Sequence, residues 1–375
     1  MTTTDTSELL DEVRELCEQI LAAHTEDADP TALIRDLRDA GLLDPQLLDD
    51  ETTTGGARPA PNDRGPAAGG DALFGAGSPA TAVIATLAAA NAEVPIVEHL
   101  WNAAHLLHAS ELDLSRLSTD AGPTSDGRGA VDTGLLTAAA GTDLQVSRLG
   151  EDLSLTGSID RVSGAEAVGG LLVLLPGGTV AFIPRRDLTV TGTRRLGSMC
   201  WSRIDLDEVR VPAGAHAATQ LSVEDFRHRS AAGRLLAIRA AAERATTLTT
   251  AHLSSRVQFG RELRKFQAAQ NRLSACIGEH LMLSLGAELA LTGRRSDIAA
   301  ARIDARRSVS VIRDHTHQLH GAMGITADYP LGRLTTNMIA WLADTGSDRW
   351  WTDRLNETID DRGTWATITG EEDET

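Results

Sequence analysis

Apolar positions recur at spacings of three and four near both ends of the chain, and alternate or cluster in short runs through its middle. Near the N-terminus Leu10, Val13, Cys17, Ile20 and His24 trace one face of a helix over 7–24, which Ser7 can cap. Thr31 can cap a second helix carrying Leu33, Ile34, Leu37 and Ala40 and stopping at Gly41. The stretch TTTGGARPAPNDRGPAAGG, residues 52–70, is too poor in large apolar groups to offset its ordering entropy and reads as a mobile loop. Helical patterns resume over 80–92 and 95–109, the second opened by Pro95.

From Leu144 to Pro212 the texture changes to LQVSR, LSLTGSI, LLVLL, TVAFIP, LTVTG and RIDLDEVRVP, punctuated by Gly and Pro. These short alternating or continuous runs predict a compact β domain. Beyond Ser222 the helical period returns. Leu235, Ile238, Ala242, Ala245 and Leu248 mark a helix running to Arg256. Leu273, Ile277, Leu281, Leu285 and Leu289 mark the next, ended by Gly293. Ile298, Ala305, Val309, Ile312, Thr316 and Leu319 mark a third, capped by Ser296. Long helices with short connections pack antiparallel, so a four-helix bundle is expected. The predicted organisation is α+β: a helical domain over 1–122, a β domain over 123–217 and the bundle over 218–375.

The 375 residues are 42% hydrophobic, enough for a sizeable core. The formal net charge of −18 argues against nucleic acid or an anionic membrane as the main partner. Arginines nevertheless cluster between Arg294 and Arg313, which leaves room for a local basic patch. Cys17, Cys200 and Cys276 are far apart and fit no metal spacing, so no metal is expected. A sparse, odd cysteine set suits a reducing cytoplasm. The acidic N-terminus lacks a secretory pattern, and no run of about 18 apolar residues occurs.

Two stretches in the last third carry candidate chemistry. One is Arg256-Val257-Gln258-Phe259-Gly260, followed by Phe266-Gln267. The other is QLHGAMGITADYPLGR, Gln318 to Arg333. Glycines at a helix corner let backbone N–H groups approach a ligand, a guanidinium fork suits a pyrophosphate, and phenylalanine packs on adenine or ribose. Taken singly, Gly260 and Gly321 read better as helix caps and Arg256 as a solvated arginine; the two stretches together, in this order, favour a ligand site. No dinucleotide G-x-G-x-x-G fingerprint follows a strand. His315, His317 and His320 do not share one helix face, which speaks against a metal site.

The pattern R-x-Q-F-G-x-x-L-x-x-F-Q followed by Q-L-H-G-x-x-G-I-T-x-D-Y-P resembles the C-terminal motifs of the acyl-CoA dehydrogenases. The resemblance is strongest over about 222–355 and weak before residue 80. It implies an N-terminal helical domain, a central β-barrel-like domain and a C-terminal four-helix bundle. It also implies FAD, an acyl-CoA thioester substrate, a glutamate that takes the α-proton, and oligomers in which one subunit reaches into its neighbour's FAD site. Carried over by motif, Arg256, Phe259, Gln318, Leu319 and Gly321 would make that reach. Ser163, at the family's threonine position, and Ser347, beside the glutamate position, join them as cofactor contacts.

Three departures shape the functional expectation. No T-E-P-x-x-G-S-D flavin loop can be read between about 120 and 145. In the flavin-packing strand Arg161 stands at the tryptophan position. Thr345 occupies the glutamate position before Gly346, with Asp344 one residue early. Near the start of the first bundle helix, where some members keep the glutamate, stand Ser230 and Ala231, and Asp225 suits a surface or capping role. The leading expectation is a companion subunit lacking its own catalytic glutamate, paired with a second family chain in an α2β2 assembly that acts on bulky acyl groups such as steroid side chains. The alternatives are a complete homo-oligomeric dehydrogenase using Asp344 as base, and a non-catalytic structural or binding protein on the same fold.

Overall fold

The computed structural model describes residues 3–24, 30–44, 78–114 and 134–362. The loop expected at 52–70 and most of the stretch in which a flavin loop was sought lie outside them. Helix α1 (Thr3–Ala23) begins before Ser7, and α2 (Pro30–Asp39) starts on a proline. Helix α3 (Pro79–Ala89) is capped by Ser78, whose side chain accepts from the Thr81 N–H at 3.4 Å. The helix expected over 95–109 is in fact a π-helical segment, Val97–Ala103, leading into α4 (Ala104–Ser110).

Every residue of the π segment is buried, including Glu98, His99 and Asn102. Side-chain contacts to other elements hold this rare geometry in place. His99 bonds the Leu43 carbonyl at 2.9 Å and accepts from the Leu136 N–H at 3.0 Å. The Trp101 indole donates to the Arg229 carbonyl at 2.7 Å, and the Asn102 amide donates to Ser230. Burial pushes the His99 pKa down to about 4, so its ring is neutral in the fold.

The expected β domain takes the form of two four-stranded sheets. One comprises β1 (Leu136–Ala140), β4 (Gly170–Leu175), β5 (Thr179–Pro184) and β8 (His216–Ala218), in that spatial order, with only β1 and β4 parallel. The other is antiparallel and runs β2 (Gln145–Leu149), β3 (Asp152–Ser163), β7 (Met199–Val211), β6 (Thr189–Leu196). Leu155, Ile159, Ile204 and Leu206 of the second sheet share a core with Leu171, Val173 and Ile183 of the first. On the first sheet's other face Leu172, Leu174 and Phe182 pack with Leu106 and Phe226. Both faces of β4 are therefore covered, which explains why its sequence is a continuous apolar run.

The C-terminal helices are α5 (Val223–Ser255), α6 (Gln267–Ala290), α7 (Arg295–His320), α8 (Leu331–Asp344) and α9 (Asp348–Arg362). A capping box opens α5: Ser222 and Asp225 satisfy one another's backbone N–H groups, and Asp225 also pairs with Arg295. Helix α5 packs against α3, α6, α7 and α8, so its alanines are buried on several faces. Gly233 permits the closest approach, since a Cβ there would lie 2.4 Å from the Trp101 ring.

Two expectations change here. Ser296 does not cap α7; it is buried inside the helix, and Arg294 occupies the cap position without a side-chain capping bond. On α6 the stripe Ile277, Leu281, Leu285 and Leu289 faces outward, while Cys276, Leu283, Ala287 and Ala290 are buried. The arginines from 294 to 313 form no basic patch. Arg294 pairs with Asp297, Arg295 with Asp225, Arg302 and Arg306 with Asp348, Arg307 with Glu279 and Asp304, and Arg313 with Asp314. Among the described residues no helix is long and apolar enough to cross a membrane, and no cluster of His, Cys, Asp and Glu could hold a metal ion.

Candidate functional site

A cleft of 390 Å³ opens between β1, β3, the start of α5 and the junction of α8 with α9. Its lining includes Glu98, Arg161, Ser163, Arg234, Asp344 and Ser347. The expected acid–base position therefore does face a cavity. What occupies that position decides its chemistry.

Asp344 is the last residue of α8, and its side chain is 10% exposed. Oδ1 accepts from the Ser163 hydroxyl at 2.8 Å and from the Trp201 indole at 2.5 Å. Oδ2 accepts from Arg234 Nε at 2.9 Å, and Arg234 Nη2 lies 2.8 Å from it as an ion-pair contact. Arg234 also donates to Glu98. Three hydrogen bonds and a further guanidinium contact thus converge on one carboxylate. A general base needs a lone pair free to meet the proton it removes, and this geometry leaves Asp344 committed to its neighbours. Arg234 is itself almost fully buried. Burial opposes its charge, yet the attraction of Glu98 and Asp344 outweighs that effect and holds its pKa above the ordinary arginine value.

The segment after Asp344 is pinned by a second buried arginine. Arg302 donates to the Thr345 hydroxyl, the Leu342 carbonyl at 2.8 Å, the Gly346 carbonyl at 3.2 Å and Asp348 at 3.2 Å. The Thr345 hydroxyl in turn donates to Leu342. Ser347 is exposed at the cleft and accepts from the Trp350 N–H at 3.3 Å, capping α9. Across the cleft Arg161 adopts a positive φ of 61° at a break in the β3–β7 register. Its guanidinium donates to the Ala343 carbonyl at 2.7 Å and lies 5.3 Å from the Trp201 ring centroid.

The second set of predicted residues lies at the end of the bundle where α5 and α7 both terminate. Arg256 is the C-cap of α5. The chain then turns through a hairpin of β9 (Val257–Gln258) and β10 (Arg261–Glu262). Its two central residues, Phe259 and Gly260, have φ of 52° and 77°. Paired positive φ values mark the tight hairpin turns that suit Gly, Asn or Asp, so a phenylalanine there is uncommon. Gly260 is thus a turn residue and not a helix cap. Phe259 is 91% exposed, with its ring edge-on to Phe266. The Arg256 guanidinium meets the Gln258 amide oxygen at 2.9 and 3.2 Å.

Gly321 is the C-cap of α7, with φ 61°. Gln318 is exposed and Leu319 half-buried beside it. The two corners adjoin, because His252, one turn before Arg256, stacks on His320 with centroids 4.5 Å apart. His320 also bonds the Thr316 carbonyl at 2.8 Å and Tyr329 at 3.0 Å. Burial lowers the pKa of both stacked histidines, which keeps them neutral and the stack intact. The corner at the end of α5 carries an exposed guanidinium and aromatic ring, and the corner at the end of α7 an exposed amide and a glycine turn.

The residues that sequence reasoning missed are Glu98, Trp201, Arg234 and Arg302. Two of them left a signal. Arg302 interrupts the apolar series Ile298, Ala305, Val309, and Glu98 sits inside the run Ile96, Val97, Leu100. A charge on a core-facing position implies a buried partner.

Residues 228–348 match the family model for the acyl-CoA dehydrogenase C-terminal domain. Among solved structures the chain is similar to a variant of the Tcur3481–Tcur3483 steroid ACAD, at 20% identity, 95% and 99% coverage of the two chains, and a TM-score of 0.73. It is similar to the ChsE4–ChsE5 complex from Mycobacterium tuberculosis at 21% identity, 97% and 99% coverage, and a TM-score of 0.71. It is also similar to XiaF from Streptomyces sp., solved with FADH2 and glycerol, at 16% identity, 99% and 98% coverage, and a TM-score of 0.65. No curated protein sequence matches the chain.

Proposed function

We propose that this chain, which has the acyl-CoA dehydrogenase fold and that family's C-terminal domain, is a non-autonomous subunit of an FAD-dependent acyl-CoA dehydrogenase. In this reading it helps hold FAD across a subunit interface and does not deprotonate substrate itself. The observation that carries the reading is the state of Asp344: a carboxylate gripped by Ser163, Trp201 and Arg234, with threonine after it.

The residues at the bundle corner fit the nucleotide half of FAD. Arg256 would meet the pyrophosphate, Phe259 would pack against the adenosine, and Gln318, Leu319 and Gly321 would flank it. A 91%-exposed phenylalanine on a tight hairpin suits a surface covered by another protomer. The chain's own cleft fits the flavin ring poorly. Arg161 bridges β3 to the end of α8 and lies over Trp201, so a charged group and its hydrogen bond stand where a flat apolar face is needed. Ser163, assigned by sequence to the cofactor, is taken up by Asp344. When bound, the flavin supplies the hydride acceptor. This chain's part is to bind and orient it.

The partner in this reading is a second chain of the same fold in an α2β2 assembly, and the substrate is a bulky acyl-CoA. Two of the structural relatives are paired systems by name, and one of those is a steroid ACAD. The visible spectrum tests the reading. The chain purified alone is expected to be colourless and to become part of a yellow assembly only when co-expressed with a second chain of this fold. Yellow protein purified alone and bleached by acyl-CoA would overturn it, as would colourless protein under both conditions.

A further inference from the structure

The ends of α5 and α7 meet through two imidazoles. His252, in the last turn of α5, stacks on His320, the last residue of α7, with ring centroids 4.5 Å apart and planes 20° from parallel. The predicted grip residues hang on these turns: the Arg256 N–H donates to the His252 carbonyl at 2.9 Å, and the Gly321 N–H donates to the His317 carbonyl. Hydrogen bonds fix the proton on His320. Its Nδ1–H donates to the Thr316 carbonyl at 2.8 Å, so Nε2 carries the lone pair and accepts from the Tyr329 hydroxyl at 3.0 Å. His317 is held likewise. The Thr335 hydroxyl donates to the Leu331 carbonyl, so His317 Nε2–H donates to Thr335 at 2.8 Å, and its buried Nδ1 has no partner among the described residues.

We propose that His252 and His320 are positioning residues whose stack is a proton-sensitive latch, holding the two corners in one nucleotide grip when neutral and letting them part when charged. The proposal rests on the reading above that the corners serve FAD, and it names what keeps them together. Among the described residues no carboxylate acts on either stacked ring. The charged groups around the cluster are Arg256 beside His252, Arg244 of α5 facing Tyr329, and His317, Arg313 and Asp314 of α7. Asp314 acts on His317 and already pairs with Arg313. A first proton on either ring enters a partly buried site near Arg256, and a second would set two like charges 4.5 Å apart. Burial, then the positive charges beside it, hold the pKa of His252 below that of a free histidine, and burial does the same for His320. Rings freed into water take up protons first as pH falls below about 6.5. Acid therefore favours the open corner, and neutral pH favours the latch.

The test is hydrogen exchange of the full chain read by mass spectrometry across this pH range, corrected for the intrinsic pH dependence of amide exchange. Protection over 252–262 and 317–326 is expected to fall below pH ~6.5, by up to about tenfold per pH unit for each proton taken up. His252→Phe keeps a flat ring that cannot charge and should flatten that fall. His252→Gln removes the same titration if the phenylalanine variant does not fold. In the co-expressed assembly, FAD lost on gel filtration should rise over the same pH range in the wild type and rise less in the variant. Protection independent of pH in the wild type would overturn the latch, as would an equal fall in the folded variants. Protection that falls while flavin stays bound would overturn the latch's part in the nucleotide grip. The exchange measurement needs no flavin, so its failure is distinct from failure of the subunit reading, which the visible spectrum decides.

Discussion

Replacing Arg234 with leucine removes the only positive charge from a buried group of three. Its contacts are a hydrogen bond of 2.9 Å and an ion-pair contact of 2.8 Å to Asp344, and a hydrogen bond to Glu98. The side chains of Glu98, Arg234 and Asp344 are 4%, 2% and 10% exposed, so water replaces little of what is lost. Asp344 keeps Ser163 and Trp201 as donors, while Glu98 loses its arginine. Breaking a buried ion pair from one side costs about 3–5 kcal/mol. That is a large part of the roughly 5–15 kcal/mol that holds a typical domain folded. Urea unfolding of Arg234→Leu should therefore show a strongly lowered midpoint with little change in slope. Adding Glu98→Gln and Asp344→Asn to the leucine variant should restore most of the loss, because the uncompensated charges go with them. A cost below about 1 kcal/mol, or no recovery on neutralising both acids, would refute the claim that this network is a mutually dependent buried unit.

Arg302→Leu should cost about 2–3 kcal/mol through its lost charge-assisted hydrogen bonds, and amide exchange should speed up selectively over 342–348, the segment it pins. Gly233→Ala should destabilise by about 1–3 kcal/mol on thermal unfolding, since the new methyl would meet Trp101 at 2.4 Å. Stability should fall as pH drops from about 6.5 towards 4. His99 is held near pKa 4 in the fold against 6.5 for the free side chain, so the unfolded chain takes up the proton first. The linked loss is about 3 kcal/mol by pH 4, and His99→Gln should flatten that part of the pH profile. Phe259→Ala should leave thermal stability within about 0.5 kcal/mol, its ring being exposed, while lowering FAD content in the assembly.

Much of the fold could be read along the chain because burial and periodicity agree there. The first bundle helix ends at Arg256 as the spacing implies, and the alternating runs from Leu144 to Pro212 fall on strands β2 to β7. Where a sequence signal misled, the presence or absence of a tertiary contact was responsible. The stripe Ile277, Leu281, Leu285, Leu289 reads as a core face but lies on the outside of the bundle. A helical period shows that a face is apolar, not what will cover it. The π-helical turn at Val97–Ala103 had no local signature, since long-range bonds from His99, Trp101 and Asn102 stabilise it. At the site, the absence of a glutamate at Thr345 was legible. The fate of Asp344 was not, because its partners stand 110 to 181 residues away in the chain.

The central claim is that the bundle corner serves a nucleotide held between protomers while Asp344 serves only structure. Its most direct test is the FAD content and turnover of the co-expressed assembly carrying either Arg256→Ala or Asp344→Asn in this chain. The account predicts that Arg256→Ala empties most of the flavin from an otherwise intact assembly, and that Asp344→Asn leaves turnover per bound flavin unchanged. Full FAD occupancy without the arginine, or abolished turnover with flavin retained in the asparagine variant, would contradict it.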